Sequence, residues 1–180
     1  MKTKDEKYCN KELYSIFIRY ISLFVLAFFI SFLDRLFLMP TLFIVRFLLL
    51  PLPSELYARS IIVLSVPIEI IRACVAPSAF YFLLALNLTT FGISIKRRLL
   101  CLLLSWFLFL LANSIRIYGL IMVLLLNFNY FDIIHYIIWH FFSAVLVFFI
   151  WVFTINTLHI KNYPVVSDFI YIKNCLKKSR

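Results

Sequence analysis

Apolar and polar residues in this chain fall into long blocks rather than a fine alternation. Leu13 to Leu33 carries one charge, Arg19, near its start. Cys74 to Ile95 carries none, and Leu99 to Phe131 carries only Arg116. Ile133 to Ile160 contains no Asp, Glu, Lys or Arg. A helix crossing a bilayer needs about 20 such residues. The pattern therefore predicts four transmembrane helices, with Asn127–Asp132 joining the last two.

The stretch from Asp34 to Arg72 reads differently. Leu36 to Leu52 is apolar but short, contains Pro40 and Arg46, and ends in Pro51-Leu52-Pro53. It would either cross or lie in the outer interface. Ile61 to Ile71 is rich in Ile and Val and is broken by Pro67, which predicts extended chain. The fold class expected is an all-α integral membrane protein of about four transmembrane helices. An outer-face interfacial or extended segment separates the first helix from the second. Two crossings within Asp34–Arg72 would raise the number to six.

Composition agrees with the blocks. The 180 residues are 64% hydrophobic and 14% charged, with 21 Phe and 2 Gly. A soluble domain is roughly 45–50% apolar and about 25% charged. A chain this short could not hide so much apolar surface in a core of its own. The net charge of +10 is thus not read as a nucleic-acid footprint, and collagen, disulfide-framework and disordered classes are excluded.

The charge has a direction. Lys2, Lys4, Lys7 and Lys11, then Lys96, Arg97 and Arg98, then Lys161, Lys173, Lys177, Lys178 and Arg180 account for 12 of the 18 basic residues. Basic residues flanking spans mark the cytoplasmic side. Both termini and the Lys96–Arg98 turn are therefore placed inside, at the plasma membrane. The number of crossings is then even on each side of that turn. Zero crossings between Asp34 and Arg72 is the simpler solution. Residues 1–12 become a cytoplasmic tail, 13–160 one transmembrane domain and 161–180 a basic cytoplasmic tail. No Ala-x-Ala cleavage site follows the first run, which reads as a retained anchor.

Of the four cysteines, Cys9 and Cys175 fall in the tails, Cys101 near the inner surface, and Cys74 near the outer side. That distribution predicts no structural disulfide. A lone Cys is commonly a small buried hydrophobe. Pro77, however, suits the first turn of a helix, which sets Cys74 just before a helix N-terminus, a setting that favours thiolate.

Arg116 is the strongest anomaly, because a charge inside a span costs roughly 2.5–3.5 kcal/mol on insertion scales. It either snorkels to the outer headgroups or serves a site. At about 1.5 Å per residue, Arg116 lies about 27 Å above Arg98, Pro77 about 28 Å above Lys96, and His140 about 31 Å above Lys161. The hydrocarbon core is about 30 Å thick. Cys74, Arg116 and His140 thus share a depth near the outer boundary. His could take the thiol proton and return it to a leaving amine, and Arg could stabilise a thiolate or oxyanion.

Asn113, one turn before Arg116, could orient it or bind a substrate amide, or could simply bond a neighbouring helix. His135 competes with His140 but faces elsewhere on the helix and lies close to the loop. His159 is too deep. Glu69 and Arg72 flank Cys74 and are expected to pair with each other. No CxxC or HxxxH spacing occurs, so no metal or other cofactor is expected.

Ala73-Cys74-Val75-Ala76-Pro77, then an apolar helix, a basic turn, Asn113-Ser114-Ile115-Arg116-Ile117, and His140 eight residues before Phe148 resemble the exosortase/archaeosortase family. The resemblance covers roughly residues 61–153. It implies a multi-pass membrane cysteine protease or transpeptidase with an outward-facing site. Cys74 would be the nucleophile, Arg116 the catalytic cation and His140 the base and acid. The implied partners are secreted proteins ending in a short motif, a transmembrane helix and a basic tail. They would pass after cleavage to a lipid or other surface acceptor. Val75 and Ala76 stand where the family often has Ser or Thr and then Gly, and Ala144 where many members have Gly. Two other readings are weighed: a non-enzymatic membrane protein, such as an assembly partner or degenerate relative, and a small transporter subunit lined by Arg116 and His140.

Overall fold

The computed structural model describes residues 4–90, 92–126, 131–160, 168–169, 171–173 and 175, with the side chains of 4–12, 132, 139 and 140 outside that set. Most of these residues are helical. The first expected span is bent. Helix α1 (Lys4–Ala27) ends two residues before α2 (Ile30–Leu48), and their axes meet at 69°. The corner is a tight turn in which Phe28 and Phe29 donate to Val25 and Leu26, three residues back. Helix α1 also begins inside the segment expected to be a tail.

Helix α2 carries the chain through Leu36–Leu48 and tolerates Pro40 in its interior. It buries Asp34, Phe37, Leu38, Thr41, Leu42 and Val45, spaced three and four apart as one helical face. That face packs on α4 (Pro77–Leu88) and α5 (Ile95–Leu125). The rings of Phe37 and Phe80 stack, and Trp106 and Phe109 meet them edge-on. Trp106 Nε1 donates to the Phe80 carbonyl at 3.0 Å, satisfying the one polar atom of that ring.

The all-α expectation needs correction between α2 and α4. Strands β1 (Ser54–Tyr57), β2 (Ser60–Val63) and β3 (Val66–Glu69) form an antiparallel sheet in the order β1-β2-β3. Ser54 pairs with Val63 and Ser60 with Glu69. The Ile/Val-rich stretch is extended, as its composition predicts, but it folds back on itself. Leu64 and Ser65 both hold positive φ, 50° and 67°, the conformation of a two-residue hairpin turn. On β2 the alternation sends Ile61 and Val63 into the core. Arg59, in the β1–β2 turn, forms an ion pair with Asp34 of α2, tying the sheet to the helices.

The second expected span, Cys74–Ile95, contains a single-turn helix, α3 (Arg72–Val75), and then α4. At about 1.5 Å per residue, the 12 residues of α4 cover about 18 Å. The third expected span is α5, of 31 residues. The fourth is helical over α6 (Phe131–Ile137) and α7 (Ser143–Thr157), with a π-helical turn at Ile138–Phe142 between them. Among the described residues, α5 is the one unbroken helix long and apolar enough to cross a membrane. Large apolar side chains point away from the core around the molecule, among them Phe24, Phe47, Phe107, Phe148 and Phe153.

Arg98 does more than mark a side. Its guanidinium donates to the carbonyls of Asn87, Leu88 (3.1 Å) and Thr90 (3.0 Å), the C-terminal end of α4. Arg19 adds bonds to Leu88 and Thr90 and pairs with Asp168 at 3.1 Å. Cations belong there, because helix C-termini expose unpaired carbonyls. The expectation of no disulfide is corrected as well, since Cys175 is disulfide-bonded. Span arithmetic treats a tail as remote, whereas Asp168 shows the chain returning to α1. Cys74 and Cys101 are free thiols.

Candidate active site

Cys74 sits in α3, five residues beyond β3, and its N–H donates to the Ile71 carbonyl at 2.9 Å. Ala76 separates α3 from α4 in a left-handed conformation (φ 55°, ψ 54°). An L-residue pays about 1–2 kcal/mol there. Pro77 opens α4, as expected, with Ala76 as its capping residue. Cys74 therefore lies in its own turn, one kink away from the α4 N-terminus. It is half-buried.

Two side chains from α5 reach the Cys74 backbone. Asn113 Nδ2 donates to the Cys74 carbonyl at 2.9 Å and to that of Val75 at 3.5 Å. Arg116 Nη2 donates to the Cys74 carbonyl at 3.1 Å. The three-residue spacing puts both on one face of the helix. Asn113 is 0% exposed and Arg116 9% exposed, so Arg116 points inward and does not snorkel. Asn113 does not bond Arg116; it bonds a neighbouring helical segment, α3, which is the second of the two expectations for it. It holds the turn that carries Cys74.

Arg116 also reaches the last helical segment. Its Nη1 donates to Ser143 Oγ at 2.5 Å, and Ser143 follows the π turn in which His140 lies. The side chain of His140 is outside the described residues. Cys74, Asn113 and Arg116 are thus brought together, and the segment bearing His140 meets the same guanidinium. Sequence reasoning missed Ser143. The available signal was its place three residues after His140, a lone hydroxyl between Phe142 and Ala144 in an apolar run.

Two buried polar atoms of this cluster are unpartnered: Asn113 Oδ1, an acceptor, and Arg116 Nε, a donor. Such atoms are uncommon in folded proteins and often mark a place where something else binds. Other candidates have local roles. The His135 ring stacks on Phe131 with centroids 5.7 Å apart. His159 takes positive φ, 51°, just beyond α7, where its N–H and that of Ile160 cap the helix by bonding Asn156 and Ile155. Arg72 does not pair with Glu69. It donates to Ser31 at 3.1 Å instead. Among the described residues no three His, Cys, Asp or Glu side chains gather as a metal site. Comparison of the chain with protein-family models, with curated proteins and with solved structures finds no match.

Proposed function

We propose that the protein is a membrane-embedded cysteine protease or transpeptidase. It would cleave the C-terminal sorting signal of secreted proteins on the outer face of the plasma membrane and transfer them to a lipid or other surface acceptor. The observation that carries the reading is the convergence of Asn113 and Arg116 on the Cys74 carbonyl, with Arg116 also bonded beside the His140 turn.

In the proposed reaction His140 takes the Cys74 thiol proton. The sulfur attacks the scissile carbonyl carbon, forming a C–S bond and an oxyanion. Collapse breaks the C–N bond, and His140 returns the proton to the leaving amine. Attack on the thioester by water or an acceptor nucleophile then frees Cys74. Arg116 Nε is the unused donor for the oxyanion, and Asn113 Oδ1 the unused acceptor for a substrate N–H. Ala76 adds support: it holds a conformation that Gly adopts at least cost, and Gly is what the resembled family often carries there.

A multi-pass arrangement with both termini inside fits the basic tails and the outward Phe side chains. Disulfides persist in oxidising compartments, so the disulfide at Cys175 counts against an inside placement of the C-terminal tail. One observation favours the non-enzymatic reading. The two donors aimed at Cys74 grip its backbone rather than its sulfur, as a purely structural clamp would.

Paired strains carrying wild type and Cys74→Ala separate the two. The C-termini of secreted and surface proteins whose genes end in a membrane helix and basic tail are compared by mass spectrometry. Tails removed only in wild type are expected. Identical C-termini, with the protein expressed, would leave the structural clamp as the better account.

A further inference from the structure

Ser143 makes bonds in two directions. Its Oγ accepts from Arg116 Nη1 at 2.5 Å and donates to the Ile138 carbonyl at 3.3 Å. Its backbone N–H bonds the same carbonyl. Ile138 opens the π turn and Ser143 closes it, with His140 between them. A π turn is rare and tends to occur at functional sites. Here the Ile138 carbonyl accepts from both the N–H and the hydroxyl of Ser143.

The other end of the link is equally defined. The guanidinium that bonds Ser143 through Nη1 bonds the Cys74 carbonyl through Nη2. Its two amino groups are fixed in one rigid plane. Position along α7 is thereby coupled to position in the Cys74 turn, across three chain segments. Only a hydroxyl can accept from Arg116 and donate to Ile138 at once in so small a space. Alanine does neither, and threonine does both.

We propose that Ser143 is a positioning residue: it holds the turn bearing His140 against Arg116, and through Arg116 against Cys74. The inference rests on the Cys–His reading above and specifies how that pair is brought into register.

The test uses the full-length protein in native membranes. In a His140→Cys variant, the new thiol and Cys74 are bridged with dibromobimane, and the linked peptides are quantified by mass spectrometry. The bridge is expected to form with Ser143 present, to fall at least about tenfold with Ser143→Ala, and to recover with Ser143→Thr. Losing one bond to a charged group amounts to about 10–100-fold in rate. C-terminal processing in strains that keep His140 should therefore fall by that factor in Ser143→Ala and return in Ser143→Thr.

No bridge at all, a bridge indifferent to Ser143→Ala, or failure of Ser143→Thr to restore it would each overturn the proposal. A bridge that follows Ser143 while processing ignores Cys74→Ala would leave the tether standing and remove the protease reading. The two failures are therefore distinguishable.

Discussion

Arg116→Met removes the one buried cation of the candidate site, and the structure says what that should cost. Arg116 makes two charge-assisted bonds, to Ser143 Oγ and to the Cys74 carbonyl, together about 3–6 kcal/mol. Against them stand roughly 2.5–3.5 kcal/mol for placing a cation inside an apolar span and about 1–3 kcal/mol for an Nε without a partner. Neither partner is orphaned by the substitution. The Cys74 carbonyl keeps Asn113 Nδ2, and Ser143 Oγ keeps the Ile138 carbonyl. Among the described residues no carboxylate pairs with Arg116, so no buried charge is left behind.

The terms nearly cancel, and Met fills much of the same volume. Stability should change by no more than about 2 kcal/mol in either direction, a shift within roughly 4–8 °C in Tm for a chain of this size. Processing, by contrast, should fall by about 100-fold or more, as for loss of an oxyanion donor. Thermal unfolding in nanodiscs and C-terminal mass spectrometry read the two effects separately. A Tm loss above about 12 °C would refute the reasoning. It would make Arg116 a keystone of the fold rather than a charge kept for chemistry.

Two further predictions concern the frame around the site. Ala76→Gly should raise Tm by roughly 2–4 °C, because relief of about 1–2 kcal/mol of left-handed strain outweighs the entropy cost of Gly. Ala76→Val should lower it in the same unfolding assay. Arg98→Ala should free the carbonyls at the end of α4 and speed amide exchange over residues 85–90. Arg98→Lys should recover only part of the protection, because one ammonium cannot span three carbonyls as a planar fork does.

Several features were legible in the chain itself. Uninterrupted apolar blocks demand helices, because a helix satisfies its own backbone where water is excluded. Ile and Val around Pro67 favour extended chain, and Pro77 favours a helix start. A charge in an apolar run, with Asn113 one turn away, singles out one face of α5. Each of these follows from short-range chemistry.

Tertiary packing decided the rest. Nothing at Phe28-Phe29 signals a break, since neither Gly nor Pro is there. The 69° corner brings the α2 stripe onto α4 and α5, and hydropathy along a run does not report direction. The hairpin turn at Leu64-Ser65 uses residues with little preference for positive φ, and it is held by the pairing of β2 with β3 and by the bond from the Leu64 N–H to the Pro53 carbonyl at 3.2 Å. Arg98 was readable as a charge but not as the cap of a helix ten residues earlier. The sequence does not single out Ser143, because a single hydroxyl in an apolar helix commonly bonds its own backbone. Only the approach of α7 to α5 puts Arg116 within its reach, and burial then makes that bond matter.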